Sequence, residues 1–151
     1  MLKSIPAIIT PELLYSLAAM GHGDQLAIVD RNYPALARNP RVHALPGVGT
    51  TQAATAICEL FPIDDFGQPT AYRMIPDDDP YAEFEVHREF AEVLHRAEAR
   101  PIDVLAVRRT PFYALAATAY AIVQTSEPRP FACFVLTKGV IRSPDPRITV
   151  Q

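Results

Sequence analysis

Short runs of apolar residues with little polar alternation constrain this chain more than any other feature. They occur at Leu26-Ala27-Ile28-Val29, Ile102 to Val107, Tyr120 to Gln124 and Phe131 to Thr137. A strand that is apolar on successive residues is buried on both faces, which requires a sheet covered by helices above and below. Each run is far shorter than the roughly 20 residues that span a bilayer. Helical patterns lie between the runs, and two of them open alike. Thr10 is a natural N-cap, Pro11 fits the first helical position and Glu12 suits the positive helix end. Leu13, Leu14, Leu17 and Ala18 then repeat at helical spacing, and Gly21 is placed to stop the helix. Thr110-Pro111 repeats this start ahead of Phe112, Leu115, Ala116 and Ala119. The chain has 15 prolines, about twice the usual frequency, and they punctuate elements throughout.

The remaining elements follow the same logic. Val42 to Leu45 predicts a second short strand, and Thr50 or Thr51 caps a helix running to about Leu60. Residues 30 to 40 read as an irregular loop. Thr70 to Ile75 predicts a strand, and Pro76-Asp77-Asp78-Asp79-Pro80 a turn in which Asp79 caps the longest helix, Tyr81 to Ala99. Val86, Phe90, Val93, Leu94 and Ala97 share one face of that helix, while Glu92 and Arg96 pair on another. Helices alternating with buried strands predict one three-layer α/β/α domain over residues 1–151, with a largely parallel sheet. A length of 151 residues suits a single core that buries about two-thirds of the unfolded surface.

Several function classes drop out. A net charge of −3 and a pI near 5.8 leave no basic footprint for nucleic acid or an anionic membrane. Met1-Leu2-Lys3-Ser4-Ile5-Pro6 lacks the pattern of a signal peptide, so a cytoplasmic protein is expected. Cys58 and Cys133 have no CxxC spacing and read as buried, reduced thiols. The Asp77–Asp79 run lacks the glycine and glutamate of a calcium loop. His43 lies on a different element from His87 and His95, and the His87/His95 pair reads as a solvated helix face. Ser4, Ser16, Ser126 and Ser143 sit in no nucleophile elbow, and neither Walker nor Rossmann glycine patterns occur. No metal and no cofactor are expected.

Three positions remain as candidates. His22, between Gly21 and Gly23, has neighbours too small to cover it, and imidazole titrates near neutrality, as proton transfer requires. The same residues also fit a plain helix-end turn with an exposed histidine. Asp30 ends a buried strand, where α/β sheets bind ligands, or else starts a turn with Arg31 and Asn32. Arg108 and Arg109 end the strand Ile102 to Val107, and an arginine there either forks onto hydroxyls or a carboxylate, or pairs with a surface acid.

The segments Met1-Leu2-Lys3, Pro11-Glu12-Leu13-Leu14 and Met20-Gly21-His22-Gly23-Asp24 resemble the family of D-ribose pyranase and L-fucose mutarotase. The likeness continues through Asp30, Tyr33-Pro34, Arg109, Phe112-Tyr113, Ala121-Ile122-Val123 and Lys138-Gly139-Val140, and is nearest to the fucose branch. The resemblance implies a small α/β isomerase that interconverts anomers or ring forms of a free monosaccharide without metal or cofactor. It also implies a ring-shaped homo-oligomer, commonly a decamer, with sugar sites near subunit contacts. By position, His22 matches the family's proton donor, and Asp30 and Arg109 match sugar-binding residues. The family's Tyr-x-Asn segment falls on Phe131-Ala132-Cys133 here. A phenol and an amide are replaced, so Phe131 and Cys133 are expected to shape the pocket and alter which sugar it holds.

A non-catalytic sugar-binding protein on the same scaffold is the competing expectation. His22 favours the enzyme, because a pure binder has no need of a group that titrates near neutrality. His22 and Asp30 flank one strand, and eight extended residues span about 26 Å. Both reach one sugar only if the chain turns back or if two subunits share a site.

Overall fold

The computed structural model describes residues 1–67 and 69–143; the last eight residues of the expected domain lie outside these. Among these residues eleven elements follow one another, helix and strand alternating up to the last two: α1 (Pro11–Ala19), β1 (Gln25–Val29), α2 (Ala35–Arg38), β2 (Val42–Leu45), α3 (Thr50–Cys58), β3 (Ala71–Ile75), α4 (Glu85–Glu98), β4 (Val104–Arg108), α5 (Arg109–Thr118), β5 (Ala121–Thr125) and β6 (Phe134–Thr137). The six strands form one sheet in the order β2-β5-β1-β6-β3-β4. β1 pairs parallel with β5, β5 with β2, and β3 with β4. β6 runs antiparallel to both β1 and β3, so it alone is reversed. Five strands therefore end, and β6 begins, along one carboxyl edge. Among the described residues, no helix is long and apolar enough to cross a membrane.

Two separate apolar clusters make the three layers. On one face Leu13, Leu17, Ile57, Phe90 and Leu94 of α1, α3 and α4 pack on Leu26, Ile28 and Phe134. On the other, Ala35, Phe112 and Ala116 of α2 and α5 meet Ala27, Val29, Ile122 and Val135. Alternate residues of β1 thus enter opposite cores, and Leu26, Ala27, Ile28 and Val29 are all fully buried, as an unbroken apolar strand requires. Phe90 stacks on Phe134 with ring centroids 3.7 Å apart. Truncating either ring would cost about 3–5 kcal/mol.

The structure changes several local expectations. Thr10 does cap α1, accepting the Leu13 N–H at 3.2 Å. The helix stops at Met20 rather than Gly21, and residues 35–38 of the expected loop form α2. Gly49, not a threonine, precedes α3. Thr50 is buried with its hydroxyl on the Ala132 carbonyl, and the Glu127 carboxylate takes its N–H at 3.3 Å. A carboxylate from a distant loop thus serves the helix end. The long helix starts at Glu85, not Tyr81, because Asp79 Oδ1 holds the Tyr81 N–H in a local turn instead of capping a helix. α5 begins at Arg109, ahead of the expected Thr110-Pro111 start. β4 is an outer strand with Leu105 49% exposed, so it is not the buried strand expected. Phe131 to Cys133 precede β6 instead of opening it, and Phe131 has a left-handed φ of 59°.

Candidate active site

The expected functional residues lie at opposite ends of β1. His22 stands on the turn before the strand, and Asp30 follows its last residue. Five strand residues separate the two ends by about 17 Å, and the chain does not fold back between them.

At the amino end, Gly23 adopts φ +87°, a conformation that suits glycine, and its N–H donates to the Lys138 carbonyl at 2.8 Å. Lys138 Nζ donates to the Leu17 and Met20 carbonyls, closing the end of α1. This fixes the turn while leaving the His22 side chain 46% exposed. Its Nε2 lies 2.9 Å from Asp64 Oδ1, and Phe66 flanks the ring at 5.2 Å. Burial pushes the Asp64 carboxyl up, but the Phe66 N–H, His22 and the Gly67 N–H together hold it below the usual carboxylate range. An ionised Asp64 accepts a hydrogen bond from the Nε2–H, which leaves the Nδ1 lone pair free to accept a proton. Gly139 packs against this site so closely that a Cβ would meet Asp64 Cα at 2.8 Å. His22 borders an open, mainly apolar groove of about 500 Å³, with Leu14, Leu17, Leu60, Val140 and Ile141 along it.

At the carboxyl end, Asp30 is buried; its Oδ1 accepts the Asn32 N–H at 2.9 Å and its Oδ2 faces the Cys133 thiol at 3.4 Å. Burial dominates and raises the Asp30 carboxyl above its usual range, against the Asn32 and Cys133 hydrogen bonds. Burial likewise pushes the Cys133 thiol well up, so it stays protonated and serves as the donor. Asp30, Tyr33, Arg109, Tyr113 and Phe131 line a cavity of about 150 Å³. Arg109, more than half exposed, pairs with Asp77 at 3.3 Å. Asp77 also accepts the Thr110 N–H and hydroxyl, so this carboxylate secures the start of α5. Cys133 is fully buried behind Asp30 and is not among the residues lining the cavity, so its contact with that lining is through the Asp30 carboxylate.

Phe131 is held from two sides. Its ring stacks on Phe84 at 5.3 Å, and its carbonyl accepts from His87 Nε2 at 3.0 Å. His87 is 1% exposed, not part of a solvated face. Its Nδ1 accepts from both Arg73 Nη1 and the Phe84 N–H, which places the proton on Nε2. Burial lowers its pKa, keeping the ring neutral. Arg129 forks onto Glu89 at 2.9 Å and contacts Glu127 at 2.9 Å, tying the preceding loop to α3 and α4. The sequence reading did not find Asp64 or this role for His87. Asp64 is 42 residues from His22, and no local pattern joins them. His87 falls one residue after Val86 on the apolar stripe of α4, and that spacing was the available signal.

A doubly covered α/β domain that gathers a carboxylate, a guanidinium and aromatic rings at the carboxyl ends of its strands belongs to the class that binds small polar ligands there. The RbsD / FucU transport protein family model matches residues 3–141. The chain belongs to this family. It is 35% identical over 147 residues to human (Homo sapiens) fucose mutarotase, covering 93% of this chain and 94% of that one. FucU from Bifidobacterium longum superposes with a TM-score of 0.87 at 33% identity, over 93% of this chain and 100% of that one. The fucose mutarotase of Streptococcus pneumoniae, solved in complex with L-fucose, gives 0.84 at 30% identity over 93% and 100%.

Proposed function

We propose that the protein is a mutarotase-type isomerase that interconverts the anomers of a free monosaccharide such as L-fucose. The family supports the reaction class. The observation that carries it to particular residues is the oriented His22–Asp64 pair, a proton-transfer group held at a partly exposed turn with one ring nitrogen free. In the reaction the anomeric hydroxyl gives up its proton as the bond between C1 and the ring oxygen breaks, and the ring oxygen gains a proton. Rotation about C1–C2 and reclosure yield the other anomer, so no covalent intermediate, metal or cofactor is required. His22 moves the proton through Nδ1, and Asp64 keeps the tautomer that makes this possible. Asp30 and Arg109 hold sugar hydroxyls, the first as acceptor and the second as donor. Phe131 and Cys133 set the pocket, Phe131 as a wall and Cys133 through Asp30.

Within one copy, His22 and Asp30 stand too far apart to touch the same monosaccharide. The site is therefore shared, with His22 of one copy facing the cavity beside Asp30 of another. The apolar groove around His22, with Ile141 and Val140 exposed along it, offers surface for that contact. A closed ring, a decamer by the family resemblance, places every copy in both roles. Two free, buried thiols, Cys58 and Cys133, suit the cytoplasm.

Saturation-difference proton NMR on the anomeric signals of L-fucose, D-ribose, D-galactose, L-rhamnose and D-arabinose tests the reading. Protein-dependent exchange between the two anomers of L-fucose is expected. A panel in which no sugar exchanges faster than its uncatalysed control would overturn it.

A further inference from the structure

Tyr33 follows β1 in the loop that carries Asp30, and its placement is fixed at several points. Its N–H donates to the Asp30 carbonyl at 3.3 Å, and its own carbonyl accepts from Gln124 Nε2 at 2.7 Å. The ring meets Phe112 and Tyr113 edge-on, with centroids 6.1 Å and 5.1 Å away. The residue is 4% exposed, and among the described residues its hydroxyl is the one buried side-chain polar atom with no hydrogen-bond partner. Burial raises this phenol far above its usual range, so it remains an O–H that can both donate and accept. Folded interiors leave few such groups, and each calls for a physical reason.

The reason lies in the cavity that Tyr33 lines together with Asp30 and Arg109. The two charged groups there are already engaged: Asp30 with the Asn32 N–H and the Cys133 thiol, Arg109 with Asp77. Phe131 brings no hydroxyl, and Cys133 spends its thiol proton on Asp30. A rigidly seated, unpaired phenol in a residue that lines this cavity is available to a molecule that enters it. We infer that the Tyr33 hydroxyl is a specificity-determining group of this site, hydrogen-bonding one hydroxyl of the bound monosaccharide. The assignment rests on the reading of the cavity as a sugar site. It implies that a sugar lacking that hydroxyl leaves the phenol unpaired again and is rejected, whereas a site walled only by Phe131 and Met74 would tolerate it.

The test compares the wild type, Tyr33→Phe and Asp30→Asn in three measurements: unfolding temperature, L-fucose affinity by calorimetry, and anomer exchange by NMR. Without sugar, Tyr33→Phe should melt at or above the wild-type temperature, since it removes an unpaired buried donor. It should bind L-fucose about tenfold more weakly and lose about as much in kcat/KM. Among monodeoxy derivatives of L-fucose, one should bind the wild type about tenfold more weakly yet bind Tyr33→Phe as well as L-fucose does. Tyr33→Phe with wild-type affinity for L-fucose and for the whole monodeoxy series would overturn the inference alone. A wild type that binds L-fucose without exchanging its anomers would overturn the isomerase reading, while the calorimetric comparison still decides Tyr33. A wild type that binds none of the sugars would overturn both.

Discussion

The two ends of β1 are built for different tasks. At the amino end, the His22 side chain is open to solvent in an apolar groove, with one carboxylate, Asp64, behind it. At the carboxyl end, Asp30 and Tyr33 are buried around a cavity of about 150 Å³, and side chains from three strand ends and a reversed strand's approach converge on it. One end has a histidine and no enclosing walls. The other has walls and buried polar groups but no histidine along its cavity. Under the proposed function a single copy then carries two half-sites, which only an interface between copies could join.

The sharpest separation of the two ends is expected at His22. His22→Gln should slow anomer exchange by about 10²–10⁴, because it removes the imidazole proposed to move the proton. Stability should stay within about 0.5 kcal/mol of wild type, since the side chain is about half exposed and glutamine can still donate to Asp64. Exchange at the wild-type rate would break the assignment of chemistry to the amino end.

At the other end the largest effect should be structural. His87→Leu leaves the Phe84 N–H and the Phe131 carbonyl without the partner they have in the fold and takes one acceptor from Arg73, which keeps the Ala82 carbonyl, and should cost about 2–3 kcal/mol in urea unfolding. It should also weaken sugar binding, because Phe131 loses the bond that holds its left-handed backbone. Unchanged stability would show that His87 carries no such load.

Gly139→Ala tests the amino end more gently. A Cβ there would meet Asp64 Cα and the Ile63 carbonyl, each at 2.8 Å, so about 1–3 kcal/mol of stability should be lost. Displacing Asp64 should lower kcat more than it raises KM. A variant with wild-type kcat would uncouple Asp64 from catalysis.

The smallest effect is a pH slope. Burial lowers the His87 pKa below its ordinary 6.5 in the fold, so on acidification the unfolded chain takes up a proton that the folded one refuses. Stability is therefore complete above about pH 6.5 and erodes as pH falls below it toward the folded pKa. Urea midpoints between pH 7 and pH 5 should decline in the wild type more than in His87→Leu. Equal declines would locate the acid sensitivity elsewhere.

Much of the scaffold was legible in the sequence because its strands are buried on both faces. Leu26 to Val29 needed no context to be read as a central strand, and Thr10-Pro11 announced α1 through a cap that the structure contains. Boundaries failed where a distant group replaced a local signal. Glu127 serves the start of α3 in place of a threonine cap, and Asp79 spends its carboxylate on a turn four residues before α4 is entered. β4 looked buried because its composition matches the inner strands, yet composition does not tell an edge from a centre. At the site, Gly21-His22-Gly23 and the strand-ending Asp30 stood out from residue type and position. Asp64, Tyr33's unpaired hydroxyl and the His87 hold on Phe131 arise from long-range packing, which no spacing in the chain records.

Subunit mixing tests most directly whether His22 and Asp30 of two copies share one site. His22→Ala and Asp30→Ala should each be inactive alone. After the two are unfolded and reassembled together in equal amounts, about a quarter of the sites would pair an intact His22 from one copy with an intact Asp30 from another. Anomer exchange by NMR should recover to about that fraction of the wild-type rate. Mixed oligomers that form yet remain as inactive as either parent would show that His22 and Asp30 never serve one site across two subunits.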